Sequence, residues 1–173
     1  MKIFESLDKV SNEEMESKIL KKWRSEDILN KTIENRKNSK NFVFYDGPIY
    51  ANAKPGIHHV FAKTIKDSIC KYRTMKGNRV LRKIGLDTHG LPIEVNVEKK
   101  LGFKSKADIE KFGIEAFNKE CREAVWENEE AFTELTDQMG QFIDTKTRYI
   151  TYDNNYIETE WWLLKEMDKK GLI

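Results

Sequence analysis

Apolar residues come in short bursts along this chain, and their spacing changes from burst to burst. Phe42, Val43, Phe44 and Tyr45 form a compact β-prone run cut off by Asp46-Gly47-Pro48, which predicts a strand ending in a turn. From Ile57 to Met75 the period becomes helical. Ile57, Val60, Phe61, Ile65, Ile69 and Tyr72 recur on one stripe, while Lys63, Lys66 and Lys71 lie mostly off it and are expected to form a solvated face. A second strand is predicted over Arg79–Ile84, followed by a loop from Gly85 to Pro92. Beyond Pro92, which suits the first residue of a helix, the chain reads as helical nearly throughout. Gly102 and Gly113 mark helix ends, and Ser105 with Asp108 marks a cap. Phe117, Val125, Phe132, Leu135 and Met139 are expected to face a core. Ile157, Trp161 and Leu164 fall at i, i+4 and i+7 of a last helix, with Trp161 and Trp162 expected at its core and rim. At the other end, Ser11 and Glu14 form a capping-box pattern ahead of Met15, Ile19, Leu20 and Trp23. The segment from Asn35 to Asn41 has no apolar residue and reads as a linker into the first strand.

Two loops in this pattern carry chemistry. Residues 45 to 59 join the first strand to the helix through a stretch rich in Gly and Pro that ends in His58 and His59. Both imidazoles then sit in the first helical turn, where unpaired backbone N–H groups and the positive end of the helix dipole favour an anion. The third histidine, His89, lies in the loop after the second strand together with Asp87. If the two strands are parallel, both loops open at the same carboxyl edge of the sheet, which is where ligands bind in open α/β folds. Residues 63 to 83 add eight Lys or Arg against a single acid, Asp67. A field of that sign suits nucleotide phosphates or RNA. Taken alone, these residues keep blander readings open. The His pair could be an exposed structural pair, since neighbouring helix positions point about 100 degrees apart. A zinc site with His89 and a Cys has no Cys-x-x-Cys or His-x-x-x-His spacing behind it. Asp87 could be a helix N-cap or a loop acid, and Gly47 and Pro48 simple turn formers.

Composition changes this picture little. The chain has 173 residues, enough for one domain with a real core, and its net charge of +2 makes no global demand for nucleic acid. Cys70 and Cys121 are too few for a disulfide or metal framework, which fits a reducing cytoplasm. No apolar run approaches the ~20 residues that cross a bilayer, and Met1-Lys2-Ile3-Phe4 opens no signal peptide.

The stretch from Phe42 to Glu94 closely resembles the start of the catalytic domain of the isoleucyl-tRNA synthetases, which are class I aminoacyl-tRNA synthetases. The blocks that carry the likeness are Tyr45-Asp46-Gly47-Pro48 with Ala51-Asn52, then Thr64-Ile65-Lys66-Asp67, Tyr72-Arg73-Thr74-Met75-Lys76-Gly77, and Asp87-Thr88-His89-Gly90-Leu91-Pro92-Ile93-Glu94. The last is the most discriminating and argues against another type of nucleotidyltransferase. Near the other end, Thr151 to Glu158, Trp161-Trp162, Leu164-Lys165 and Lys170 to Ile173 resemble the segment preceding that family's editing insertion. Three positions depart from the family pattern. Gly56-Ile57-His58-His59 stands where the family has His-x-Gly-His, with His59 in register with the second histidine. Ile49 replaces a second Pro, and Leu86 replaces a Trp.

The resemblance implies an α/β fold, the first half of a Rossmann-like catalytic domain over residues 41–173, after an N-terminal helical extension and linker over residues 1–40. It implies isoleucine–tRNA ligase chemistry: activation of isoleucine by ATP with Mg2+ to an adenylate, then transfer to tRNA(Ile). His58 and His59 are implied as catalytic, Gly56, His58 and His59 as ATP-binding, and Gly47, Pro48 and Asp87 as isoleucine-binding. No protein-held metal and no membrane are implied. With no Lys-Met-Ser-Lys-Ser signature, editing domain or anticodon-binding domain, the chain reads as an N-terminal fragment, expected to be inactive alone. The competing reading is a non-catalytic remnant that keeps the fold and weak ATP binding.

Overall fold

The computed structural model describes residues 11–50 and 53–173. Ala51-Asn52 of the family blocks and the Met1-Lys2-Ile3-Phe4 opening lie outside the described residues. Helix α1 (Asn12–Ser25) opens with the expected capping box: Ser11 Oγ accepts from the Glu14 amide at 3.2 Å, and the Glu14 carboxylate accepts from the Ser11 amide. Helix α2 (Ile28–Glu34) leads into β1 (Asn41–Tyr45), a two-residue β2 (Ile49–Tyr50), α3 (Ile57–Met75) and β3 (Arg79–Asp87). Helices α4 (Leu91–Leu101), α5 (Lys106–Phe112) and α6 (Ile114–Ala124) follow. A 3-10 turn (Val125–Glu127), α7 (Glu129–Gln138), β4 (Asp144–Ile150) and α8 (Asn154–Asp168) complete the order.

β3 is the centre of a parallel sheet. β1 and β2 run along one edge of it, with Tyr45 opposite Lys83 and Ile49 opposite Leu86, and β4 runs along the other edge. Between those pairs the outer strand spends three residues and β3 only two. The turn residues Asp46-Gly47-Pro48 therefore interrupt a single line of strand and do not leave the sheet. The predicted loop at Gly85 is corrected: Gly85, Leu86 and Asp87 belong to β3, because β4 pairs with Gly85, β2 with Asp87, and both with Leu86. The reading of a second half helical nearly throughout is corrected too. β4 was missed because Asp144-Thr145-Lys146-Thr147-Arg148 has no apolar residue.

Two clusters form the core. Ile49, Ile84, Phe132 and Ile143, with Phe44, lie between the sheet and α7, and Ile93, Val97, Phe117 and Val125 join α4 to α6 and the 3-10 turn. Leu135 and Met139 are only half-buried. The N-terminal helices dock against the rest: Trp23 meets Phe142 edge-to-face at 5.0 Å, and Arg36 Nε donates to the Thr74 carbonyl.

Helix α3 sits where the period places it but faces the other way. Lys63, Cys70 and Thr74 are its buried residues, and Lys63 is only 3% exposed. Ile57 and Phe61 are 81% and 70% exposed, and Ile65, Ile69 and Tyr72 also face outward. The solvated-lysine reading is thus overturned for Lys63, and Lys66 and Lys71 are partly covered as well. The physical reason is that buried polar partners on the sheet side accept these amines. The expected packing of the last helix is corrected likewise: α8 has no buried residue, and Trp161 and Trp162 are 68% and 58% exposed.

Candidate functional site

Three chain segments carry the candidate residues: the 46–48 break between β1 and β2, the first turn of α3, and the end of β3. Asp46 anchors the first. It is 1% exposed, its amide donates to the Lys83 carbonyl at 2.8 Å, and its carboxylate accepts from Lys66 Nζ at 2.7 Å and Lys63 Nζ at 3.3 Å. Lys63 donates also to Gln141 Oε1 at 3.1 Å, which ties the α7–β4 connection to the same point. Burial pushes the Lys63 amine below the usual lysine range, against the pull of Asp46. Burying such a charge is costly unless it is paired and hydrogen-bonded, as it is here. Held this way, Asp46 leaves Gly47 and Pro48 exposed at the edge, with open space beside the Gly47 α-carbon.

Gly56 caps α3 in an extended conformation. Its amide donates to His59 Nδ1 at 3.0 Å, a bond that only an unprotonated nitrogen can accept, so the proton of the neutral ring sits on Nε2. His59 packs edge-on against Phe132 at 4.9 Å. Its burial, and then the neighbouring His58, lower its pKa from the ordinary value of 6.5. His58 is exposed, its ring 3.9 Å from that of His59 and folded back over the Gly56 α-carbon. A side-chain Cβ at position 56 would lie 2.9 Å from His58 Cε1, so Gly56 and His58 are sterically matched.

Asp87 ends β3 opposite Tyr50 in the register and is half-buried. Beyond it, Thr88 is buried, and its amide donates to Thr151 Oγ1 at 3.0 Å. Thr151 Oγ1 also lies 2.8 Å from His89 Nδ1. Tyr50 donates its hydroxyl proton to the His89 carbonyl at 2.7 Å. Across β3, Tyr149 donates to the Asp46 carbonyl at 2.5 Å, and its ring stacks on Tyr156 at 5.9 Å. Burial, with Tyr156 and the two nearby carboxylates of Asp46 and Asp87, raises the Tyr149 pKa and keeps that hydroxyl a donor.

The predicted Gly47, Pro48, Gly56, His58, His59 and Asp87 all lie on these three segments. The expected basic field is partly spent inside: Lys63 and Lys66 on Asp46, Lys71 on Asp67 at 2.5 Å, and Arg82 on Thr74 at 2.6 Å. Sequence reading missed Asp46, Gln141, Tyr149 and Thr151 as supports. One signal was available: a lone glycine inside a strand, Gly85, marks a place where another group approaches closely. Among the described residues no group of three or more His, Cys, Asp or Glu could hold a metal ion. Nor is any helix among them long and apolar enough to cross a membrane.

The sequence profile described as tRNA synthetases class I (I, L, M and V) matches residues 18–173. Among curated proteins, the chain is 49% identical over 160 residues to the isoleucine–tRNA ligase of Dehalococcoides mccartyi, covering 92% of the chain and 16% of that protein. It is 51% identical over 156 residues to that of Bacteroides thetaiotaomicron, covering 90% and 13%. For Porphyromonas gingivalis the figures are 49% over 172 residues, 98% and 15%. The chain thus spans less than a fifth of the length of these relatives. Among solved structures, a ternary complex of Agrobacterium radiobacter K84 agnB2 LeuRS with tRNA and LeuAMS matches with a TM-score of 0.60 at 20% identity, covering 91% of the chain and 18% of that one. This likeness bears on the fold.

Proposed function

The chain belongs to the class I tRNA synthetases of the I, L, M and V group, and from that premise we propose that it is the ATP- and amino-acid-binding part of an isoleucine–tRNA ligase. The observation that carries this reading is the sheet register, which pairs Ile49 with Leu86 and Tyr50 with Asp87. It brings the exposed Gly47-Pro48 backbone and the Asp87 carboxylate onto adjacent strands. An α-ammonium leaving water needs a charged acceptor, and Asp87 supplies it; Gly47 and Pro48 lie against the amino acid. Gly56, His58, His59 and the helix N-terminus receive the phosphates of Mg2+-bound ATP. The isoleucine carboxylate attacks the α-phosphorus and pyrophosphate leaves, a step that rests on positioning and charge stabilisation. The acyl group then passes to the terminal ribose hydroxyl of tRNA(Ile), and AMP leaves. In this reading residues 1–40 are a helical extension and linker, residues 41–173 are the first half of the catalytic domain, and the protein works in the cytoplasm. The exchange activity belongs to the complete polypeptide and is absent from the 173-residue chain alone.

The test is isoleucine-dependent exchange of pyrophosphate into ATP by the complete polypeptide. His59→Ala should lower it by about 100- to 1000-fold, the scale of losing one oxyanion-hole donor. Near-normal exchange in that variant would remove His59 from the nucleotide site, and exchange with another amino acid in preference to isoleucine would overturn the substrate assignment.

A further inference from the structure

The end of β4 and the residue after it place two side chains, Tyr149 and Thr151, against two different loops of the site. The Tyr149 ring lies across Gly85 of the neighbouring strand, where a Cβ would overlap it. Only a glycine at 85 lets the ring cross β3, and by crossing it the hydroxyl reaches the Asp46 carbonyl at 2.5 Å. That carbonyl is the one immediately before Gly47. Two residues on, Thr151 is 3% exposed and gathers the other loop. Its Oγ1 accepts from the Thr88 amide and lies 3.1 Å from Thr88 Oγ1 and 2.8 Å from His89 Nδ1, while Thr88 Oγ1 accepts from the Tyr152 amide. The arrangement that leaves no buried hydroxyl proton unused has Thr88 donating to Thr151 and Thr151 donating to His89 Nδ1. The residues immediately following Asp87 are thereby fixed in place.

We infer that Tyr149 and Thr151 are positioning residues that set the spacing of the two loops of the amino-acid site, Tyr149 acting on Gly47-Pro48 through Asp46 and Thr151 acting on Asp87 through Thr88 and His89. The end of β4 with the residue after it is then a two-pronged clamp, with Gly85 as the gap through which one prong passes. Its effect falls on the amino acid rather than on ATP, because neither prong touches Gly56, His58 or His59 in the contacts described above. The kinetic part of this inference rests on the reading of the two loops as the isoleucine site; the geometric part does not.

The experiment therefore has two arms, both on the complete polypeptide. In hydrogen exchange, Tyr149→Phe should speed exchange in the peptide covering residues 46 to 50 and leave 87 to 91 unchanged, while Thr151→Val should do the reverse. In pyrophosphate exchange, Tyr149→Phe should raise the KM for isoleucine by about threefold to tenfold, the value of one net hydrogen bond, with kcat and the KM for ATP within about twofold. Gly85→Ala, whose Cβ would overlap the ring that Phe also keeps, should likewise raise the KM for isoleucine, and it should add little in a Tyr149→Ala background, where the ring is gone. Uniform loosening of both loops by either variant, or additive effects of Gly85→Ala and Tyr149→Ala, overturns the clamp. A wild-type protein that exchanges no isoleucine overturns the functional reading instead, and the hydrogen-exchange arm still decides the geometric part.

Discussion

The two faces of α3 are built from opposite materials. Toward the sheet the helix presents Lys63, Asp67, Cys70 and Thr74, and the charged or hydroxyl groups among them are paired: Lys63 with Asp46 and Gln141, Asp67 with Lys71 and the Phe142 amide, Thr74 with Arg82 and the Cys70 carbonyl. Toward solvent it presents Ile57, Phe61, Ile65, Ile69 and Tyr72. Fully burying one such side chain is worth roughly 1.5 to 3 kcal/mol, so the outward face forgoes a large stabilisation. The inward face gains less from burial, because each buried charge pays for its lost water. What it gains is geometry. Asp46 is fixed through its amide, its carboxylate and its carbonyl, and the site loops inherit that fixity.

The largest test of this contrast is Lys63→Met. The amine is held below its ordinary pKa by burial, so the charge is there at a cost, and yet its removal strands a carboxylate that is 1% exposed. Taking away one partner of a buried pair costs ~3 to 5 kcal/mol. Lys66 remains on Asp46, and its amine is partly exposed, so the loss should fall at the low end, about 3 kcal/mol in urea unfolding. A loss below about 1 kcal/mol, the range of exposed pairs, would mean that water reaches Asp46 and that the inward face is not a dry interior.

This contrast also marks how far the chain could be read before its fold was seen. The period of Ile57, Phe61, Ile65, Ile69 and Tyr72 located α3 to the residue, because helical spacing is a property of the backbone. It could not say which face meets the sheet, because that depends on Asp46, Gln141 and Arg82, which come from elsewhere in the chain. The same limit hid β4, whose strand character comes from pairing with β3 and not from its own polar sequence. The site residues were legible where a resemblance or a local rule spoke for them: Gly47-Pro48 as a break, His58 and His59 in a first turn, Asp87 after a strand. Tyr149 and Thr151 were not, since their role is a contact across the sheet. Only the lone Gly85 hinted at it.

A subtler test uses pH. His59, on the inward side of the first turn, has its pKa lowered from 6.5 by burial and by His58, and its Nδ1 is occupied by the Gly56 amide. As pH falls below 6.5 the unfolded chain takes up the proton before the folded one does. The stability contributed by neutral His59 is therefore complete above that value and is lost as pH falls toward the lower folded pKa. Unfolding free energies measured from about pH 7.5 down to about pH 5 should decline less steeply in His59→Gln than in the wild type. Equal slopes would show that the ring is not held neutral at the cap.

The smallest effect is expected on the outward face. Phe61→Glu with Ile65→Lys replaces two exposed apolar side chains by an acid and a base one helical turn apart, in the favourable order. Nothing buried is lost, and the pair adds only ~0.2 to 0.5 kcal/mol, so urea unfolding should change by less than about 0.5 kcal/mol in either direction. Self-association, read by sedimentation velocity, should fall, because the two changes interrupt a continuous apolar stripe. The control lies on the same helix: Cys70→Lys puts a second buried cation beside Arg82 and should unfold the chain or cost several kcal/mol. If the outward pair were to cost as much as Cys70→Lys, then Phe61 and Ile65 would be covered in solution. The polarity of α3 would then be the ordinary one, and the buried lysine would lose its meaning as the feature that distinguishes the two faces.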